Sequence, residues 1–149
     1  MKKDQTIVIC SSAAFYKQVN DVAEQLNRSG YEDVVVQKTA NAMKLANNYD
    51  VSSYKTWKKD DTDYDKKADF MRTHFDSISE GDAILVINNE KNGIANYIGP
   101  NVLMEMSLAW YLNKPIYLLN PLPENSPYEE ELKGMFPIIL DGNLTDIDK

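Results

Sequence analysis

The segment from Gly99 to Pro115, GPNVLMEMSLAWYLNKP, limits the fold of this chain more than any other stretch. It has the start and the end of a helix, because Pro100 stands at a first helical position and Pro115 stands where a helix cannot continue. Apolar runs at 82–88 and 116–120 flank it and are predicted strands. A strand, a helix and a strand in this order form a βαβ unit, whose two strands lie parallel.

Glu105 is the only charged residue within this helix, which is otherwise apolar on nearly every face. A helix that is apolar all round is usually buried. An ionised carboxylate in such surroundings is costly unless a partner or a raised pKa compensates. Two interpretations are therefore open. In the first, Glu105 faces the one wet edge of the helix or caps a neighbouring backbone group. In the second, which the strand–loop–helix context favours, it is a catalytic carboxylate held at the mouth of a sheet.

The composition of the chain excludes several classes of protein. A length of 149 residues predicts one domain over residues 1–149, and a net charge of −7 argues against binding to nucleic acid. No apolar segment approaches the ~20 residues of a membrane span, and no signal peptide is expected. The single cysteine, Cys10, favours a reducing compartment, so we expect a cytoplasmic protein. The single His and the single Cys, His74 and Cys10, are far apart and leave little room for a zinc site, so we expect no metal. We also expect no cofactor.

Five short apolar runs, alternating with helical patterns, predict the architecture. The predicted strands are 6–10, 33–37, 82–88, 116–120 and 138–140, and the main predicted helices are 15–27, 64–79 and 100–112. Shorter helices are expected near 43–46 and at 128–135. This alternation favours an α/β fold, a flavodoxin-like doubly wound parallel sheet of order 2-1-3-4-5 with helices on both faces. Ligands bind such sheets beyond the carboxyl ends of the strands, where the strand order reverses.

Two loops, 11–15 and 88–99, flank the point at which the predicted strand order reverses. The hydroxyls of Ser11 and Ser12, together with free amides at the next helix, would suit a phosphate. Simple N-capping is the ordinary role of serine at such a position and remains open. Neither a dinucleotide-binding glycine motif nor a P-loop is present.

The segment 38–64 is polar but includes four interspersed aromatic residues: Tyr49, Tyr54, Trp57 and Tyr64. A solvated connection is one interpretation, supported by the charged run 58–61. A lid or binding loop at the edge of a pocket for a planar ring is the other, because long excursions in compact domains often have this role.

Several of these residues together resemble the nucleoside 2-deoxyribosyltransferase superfamily, which includes the 2′-deoxynucleoside 5′-phosphate N-hydrolases. The resemblance rests on a strand opening with Asp82, the spacing Gly99-x5-Glu105-x3-Ala109, and a strand start Lys114-Pro115-Ile116. It covers the first strand with its serine loop and residues 64–120. The resemblance implies that Glu105 attacks or stabilises the anomeric carbon of a (deoxy)ribose, which gains oxocarbenium character as the base leaves.

Two positions depart from the pattern of that superfamily. Relatives have an aspartate eight residues before Asp82, where this chain has His74. A histidine can protonate a leaving base near neutral pH, although a lone histidine often has no role. Relatives also have Asp or Ser where this chain has Gly99, so its contacts to sugar or phosphate must differ. The resemblance and the two loops together assign substrate contacts to Ser11, Ser12, Phe15, Asp82, Asn88, Tyr97, Gly99 and Asn101.

The leading expectation is an N-glycosidase or deoxyribosyltransferase that acts on a nucleoside or its 5′-phosphate, with Glu105 and His74 as catalytic residues. The alternative is a non-catalytic nucleotide-binding or sensing module on the same fold. A third hypothesis is an electron-transfer flavodoxin, but the sequence lacks a convincing phosphate-binding loop for a flavin. The apolar helix and the resemblance also predict a homo-oligomer.

Overall fold

A parallel five-stranded sheet forms the centre of the computed structural model, which describes residues 3–147. Its strands are β1 (Ile7–Ser11), β2 (Val34–Val35), β3 (Ala83–Ile87), β4 (Ile116–Leu118) and β5 (Ile138–Ile139). They lie in the order β2-β1-β3-β4-β5, and every neighbouring pair is parallel. The predicted doubly wound α/β sheet and its strand order are confirmed.

Helices connect the strands and cover both faces of the sheet. They are α1 (Tyr16–Arg28), α2 (Lys38–Ala46), α3 (Tyr64–Glu80), α4 (Pro100–Tyr111) and α5 (Glu129–Gly134). A 3-10 turn, Ala13–Phe15, precedes α1, so the first predicted helix begins later than expected. Between residues 3 and 147 no helix has both the length and the apolar character of a membrane span.

The two faces of the sheet bury separate apolar clusters, because successive side chains of a strand point in opposite directions. In β1, Ile7 and Ile9 pack in the cluster that includes α1 and α2. Val8 and Cys10 pack in the other cluster, with side chains of α3 and α4. Burial on both faces explains why the strands are continuously apolar in sequence.

The outward side of α4 differs from the prediction of a helix buried on nearly every face. Met106 and Ala109 are fully buried against the sheet, but Met104, Trp110 and Tyr111 are 41%, 53% and 75% exposed. The prediction is wrong for these residues because a helix on an outer layer contacts the sheet along one side only. The expected homo-oligomer would cover this apolar surface, and it stays a prediction.

The lysine–proline pair that follows α4 has a structural role at the amino edge of the sheet. Lys114 Nζ donates to the carbonyl oxygen of Ser79, at 2.7 Å, and to that of Gly81. Carbonyl groups at the end of a helix lack intrahelical partners, so Lys114 satisfies those at the end of α3. This contact joins α3 to the start of β4.

Candidate active site

A cavity of about 520 Å³ lies beyond the carboxyl end of β1, alongside α3 and the first turns of α4. This is the position at which doubly wound sheets bind ligands, and the volume suits a small molecule. Seven of the predicted site residues line it: Ser11, Ser12, His74, Tyr97, Gly99, Asn101 and Glu105.

Three predicted contact residues, Phe15, Asp82 and Asn88, do not line this cavity. Phe15 is buried in the apolar cluster with α1. Asn88 is fully buried, and its Oδ1 accepts from the Asn120 backbone N–H at 2.9 Å, which ties together the ends of β3 and β4. Asp82 lies before β3, at the opposite edge of the sheet, where its Oδ2 accepts from the Thr6 N–H at 2.7 Å. Their positions do not support direct contact with a ligand in the cavity.

Glu105 is buried in the second turn of α4, and its carboxyl group reaches the cavity. Its Oε2 has no hydrogen-bond partner among the residues that the structure describes. Burial raises the pKa of Glu105 to about 8, although a hydrogen bond from Cys10 and the charge of Lys67 act in the opposite direction. The alternative in which Glu105 faces solvent at a wet edge is therefore wrong.

His74 reaches the same place from α3 and is also buried. Burial lowers its pKa to about 4, and a hydrogen bond with the backbone of Ile9 opposes the change only partly. Burial argues against protonation of a leaving base by His74 near neutral pH, because the desolvated imidazole ring loses much of the stabilisation of its charged form. At neutral pH His74 is uncharged.

Cys10 is the third buried polar group of this cluster, and the sequence alone does not place it beside His74 and Glu105. Its Sγ lies 3.5 Å from His74 Nε2, and donor atoms of Cys10, His74 and Glu105 all lie within 4.8 Å of one another. The expectation that Cys10 and His74 are far apart is wrong in space. The packing of α3 against the carboxyl end of β1 closes a separation of 64 residues.

Aromatic side chains form one wall of the cavity. Tyr54 and Trp57 meet at 5.6 Å between ring centroids, and each contacts Phe70 of α3, at 5.6 and 5.9 Å. Tyr16 stacks on Tyr54 at 6.2 Å. All four rings line the cavity. The segment 38–64 therefore combines both interpretations, since 54–57 borders the cavity whereas the charged run 58–61 is exposed to solvent.

Four lysines line the cavity, Lys38, Lys55, Lys67 and Lys91, although the chain as a whole has a net charge of −7. Burial lowers the pKa of Lys55, and so do the positive charges of Lys58, Lys91 and Lys67. Burial likewise lowers the pKa of Lys67. Repulsion among these lysine side chains indicates a positive electrostatic potential in the cavity, and a bound anion would reduce that repulsion. The sequence does not single out these lysines, because Lys38, Lys55 and Lys91 lie in polar segments typical of a solvated surface.

Ser12 links the serine loop to this positive region. Its Oγ accepts from Lys91 Nζ at 3.0 Å, and also from the Ala14 N–H at 3.4 Å. The second contact is the N-cap that the sequence left open as an alternative. Ser11 Oγ donates to the carbonyl oxygen of Ser12, at 2.9 Å. Ser12 therefore caps the 3-10 turn and at the same time lies at the cavity wall in contact with Lys91.

Gly99 is complementary in shape to Tyr97. A Cβ atom at position 99 would lie 2.9 Å from the Tyr97 hydroxyl oxygen and 3.2 Å from its ring. Gly99 therefore leaves room for a phenol hydroxyl next to the N-terminus of α4. This contact gives a physical reason for the departure from the Asp or Ser of the superfamily pattern.

Comparisons of the chain with protein-family models, with curated proteins and with solved structures returned no match. The geometry of the cavity and the resemblance of its residues to a known pattern are therefore the basis for inferring a function.

Proposed function

We propose that this chain is an N-glycosidase or pentosyltransferase of the nucleoside 2-deoxyribosyltransferase type, acting on a nucleoside 5′-phosphate. The observation that supports it most is Glu105, a buried carboxyl group at the cavity wall whose Oε2 has no partner in residues 3–147. A buried polar atom without a partner costs about 1–3 kcal/mol or more, and such costs are concentrated at functional sites.

The chemistry assigned to Glu105 is nucleophilic. Its ionised Oε2 bonds to C1′ of the pentose as the C1′–N bond breaks, and the bonding pair leaves with the base. Water, or the nitrogen of a second base, then bonds to C1′ and loses a proton to solvent, while the C1′–Oε2 bond breaks and its electron pair restores the carboxylate of Glu105. The leaving base takes its proton from solvent in the cavity, because His74, whose pKa is about 4, is unprotonated at neutral pH. His74 then acts as a neutral neighbour of Cys10 rather than as the acid.

The remaining walls of the cavity suit the other parts of a nucleotide. The rings of Tyr54, Trp57 and Phe70 offer a stacking surface for a planar base. Lys55 and Lys91 supply positive charge for a phosphate, and the free amides at the start of α4 add to it. The positive region favours a nucleoside 5′-phosphate over an uncharged nucleoside.

A non-catalytic nucleotide-binding or sensing module is the second candidate, and one specific observation favours it. With a pKa of about 8, most of Glu105 is protonated at neutral pH in the free protein, and a protonated carboxyl group is a poor nucleophile. The two candidates share the ligand but differ in whether the base is released.

A two-step experiment on the full chain separates them. Ribo- and deoxyribonucleosides and their 5′-phosphates are first screened for an increase in melting temperature. The ligands that bind are then incubated with the protein at neutral and at mildly alkaline pH, with and without a second free base, and the products are separated by chromatography. Free base or an exchanged nucleoside supports the enzyme, binding without either supports the sensing module, and no binding contradicts both.

A further inference from the structure

We propose that Cys10, His74 and Glu105 form a binding site for a thiophilic divalent metal ion, of which Zn²⁺ is the representative. This inference goes beyond the proposed glycosidase function and does not rest on it. The three residues come from β1, α3 and α4, so the site joins three elements of the fold.

The distance between Cys10 and His74 is the first argument for this site. Tetrahedral Zn²⁺ with Zn–S of about 2.3 Å and Zn–N of about 2.0–2.1 Å holds the two donor atoms about 3.6 Å apart. In this structure Cys10 Sγ and His74 Nε2 are 3.5 Å apart. This pair therefore has the required spacing without any rearrangement.

The carboxyl group of Glu105 completes a set of three donors. All three donor atoms lie within 4.8 Å of one another, whereas a tetrahedral metal holds an oxygen and a nitrogen about 3.4 Å apart. A shift of the Glu105 carboxylate oxygen by about 1.5 Å or less therefore brings it into range. The Oε2 atom is also the one that has no hydrogen-bond partner within the described chain, so coordination would cost no existing contact there.

The chemistry of the donors selects the class of metal. A thiolate and an imidazole favour Zn²⁺ and its borderline neighbours, whereas Mg²⁺ and Ca²⁺ prefer sets made of oxygen alone. Three protein ligands leave one position open, as in catalytic rather than structural zinc sites. His74 and Glu105 both line the cavity, so the cavity gives the ion a route of entry and space for a fourth ligand.

Metal binding would change the role of Glu105. The ion displaces the thiol proton of Cys10 and the carboxyl proton of Glu105 to solvent, and it then holds the carboxylate oxygen that would otherwise attack the sugar. The metal-bound form and a Glu105 nucleophile are therefore mutually exclusive. Such a site makes the cavity sensitive to free zinc.

Direct binding to the full chain tests this proposal without any activity assay. Chelator-treated protein, kept reduced with a non-chelating phosphine, is titrated with Zn²⁺ in a calorimeter and with Co²⁺ in a spectrophotometer. We expect one ion per chain and a thiolate-to-cobalt charge-transfer absorption in the near ultraviolet, since Cys10 is the only thiol. In Cys10→Ser this absorption disappears. In both Cys10→Ser and His74→Gln the affinity for Zn²⁺ falls by at least the ~10- to 100-fold that loss of an outer-shell partner costs.

Glu124→Gln is the matched control, because it removes an exposed carboxylate from the same chain. It should bind Zn²⁺ as the wild type does. Melting in the presence of chelator verifies that each variant is folded. Because the cobalt spectrum is recorded on the wild type, it decides the question even if a variant fails to fold. Absence of a thiolate band, absence of stoichiometric Zn²⁺ binding, or equal affinity in folded Cys10→Ser would overturn the proposal.

Discussion

Glu105→Gln replaces a buried acid by an amide of nearly equal size, and it changes how the stability of the protein depends on pH. The pKa of Glu105 is about 8 in the folded protein, against a reference value of 4.5. Between these two values the folded state holds one more proton than the unfolded state, so the free energy of unfolding falls as the pH rises. Below pH 4.5 and above about 8 this group contributes no slope.

The size of the effect follows from the two pKa values. Ionising Glu105 inside the folded protein instead of in water corresponds to at most about 5 kcal/mol, at about 1.4 kcal/mol per pH unit. The variant has no such group, so its stability relative to wild type should increase by several kcal/mol from about pH 5 to about pH 8.5. Burial of the amide should also lower the free energy of unfolding of the variant by the same amount at every pH, and this constant amount does not affect how the difference from wild type varies with pH.

The assay is urea unfolding of both proteins across this pH range, in the presence of chelator. His74 contributes with the opposite sign, since its pKa of about 4 in the folded state lies below the ordinary 6.5 and stability therefore rises between these values. This contribution is common to both proteins and cancels in their difference. Glu124→Gln, which removes an exposed carboxylate, controls for the change in net charge.

A parallel pH dependence in wild type and Glu105→Gln would refute the reasoning. It would mean that the carboxyl group is solvated in solution, or that an unrecognised cation compensates its charge. The first of these would also remove the main support for a catalytic role of Glu105.

Three further predictions concern the cavity. If Glu105 reacts in its ionised form, kcat/KM for base release should rise with pH and level off above about 8, and a flat profile in initial-rate measurements would contradict this. Lys91→Ala should weaken binding of a nucleoside 5′-phosphate by about 10- to 100-fold but leave nucleoside binding nearly unchanged in calorimetry. The exposed Lys17→Ala should change neither, and an equal loss for both ligands in Lys91→Ala would exclude a phosphate contact. Gly99→Ala should displace the Tyr97 hydroxyl, which lies 2.9 Å from the added Cβ, and so weaken nucleotide binding with less than about 1 kcal/mol of lost stability in urea unfolding. Wild-type affinity in folded Gly99→Ala would show that this hydroxyl does not contact the ligand.

The sheet was predictable from sequence because its determinants are local. Runs of branched apolar residues mark strands that are buried on both faces, and their alternation with helical periodicity leaves few topologies. Pro100 and Pro115 bound the α4 segment closely, since proline is accepted at a helix start and not within a helix. The ends of the short strands β2 and β5 were less predictable, because pairing with neighbours decides where a strand ends.

The site was predictable only in part. Glu105 was identifiable because one charge in an apolar helix is a local anomaly. Cys10 and the cavity lysines were not, since their roles depend on contacts between distant elements, such as the 3.5 Å approach of Cys10 to His74. The position of Asp82 was available in principle, because a residue that opens a parallel strand lies at the edge opposite the ligand. The substrate contact expected for Asp82 came from the resemblance, and this position in the sheet argues against it.

The most direct test of Glu105 as the nucleophile is to measure, by chromatography, the release of base by wild type and by Glu105→Gln at a pH above the pKa of about 8. We expect that the folded variant still binds the nucleoside 5′-phosphate but releases base at least about 100-fold more slowly, because the nucleophile is gone. Base release at the wild-type rate by the folded variant would contradict it.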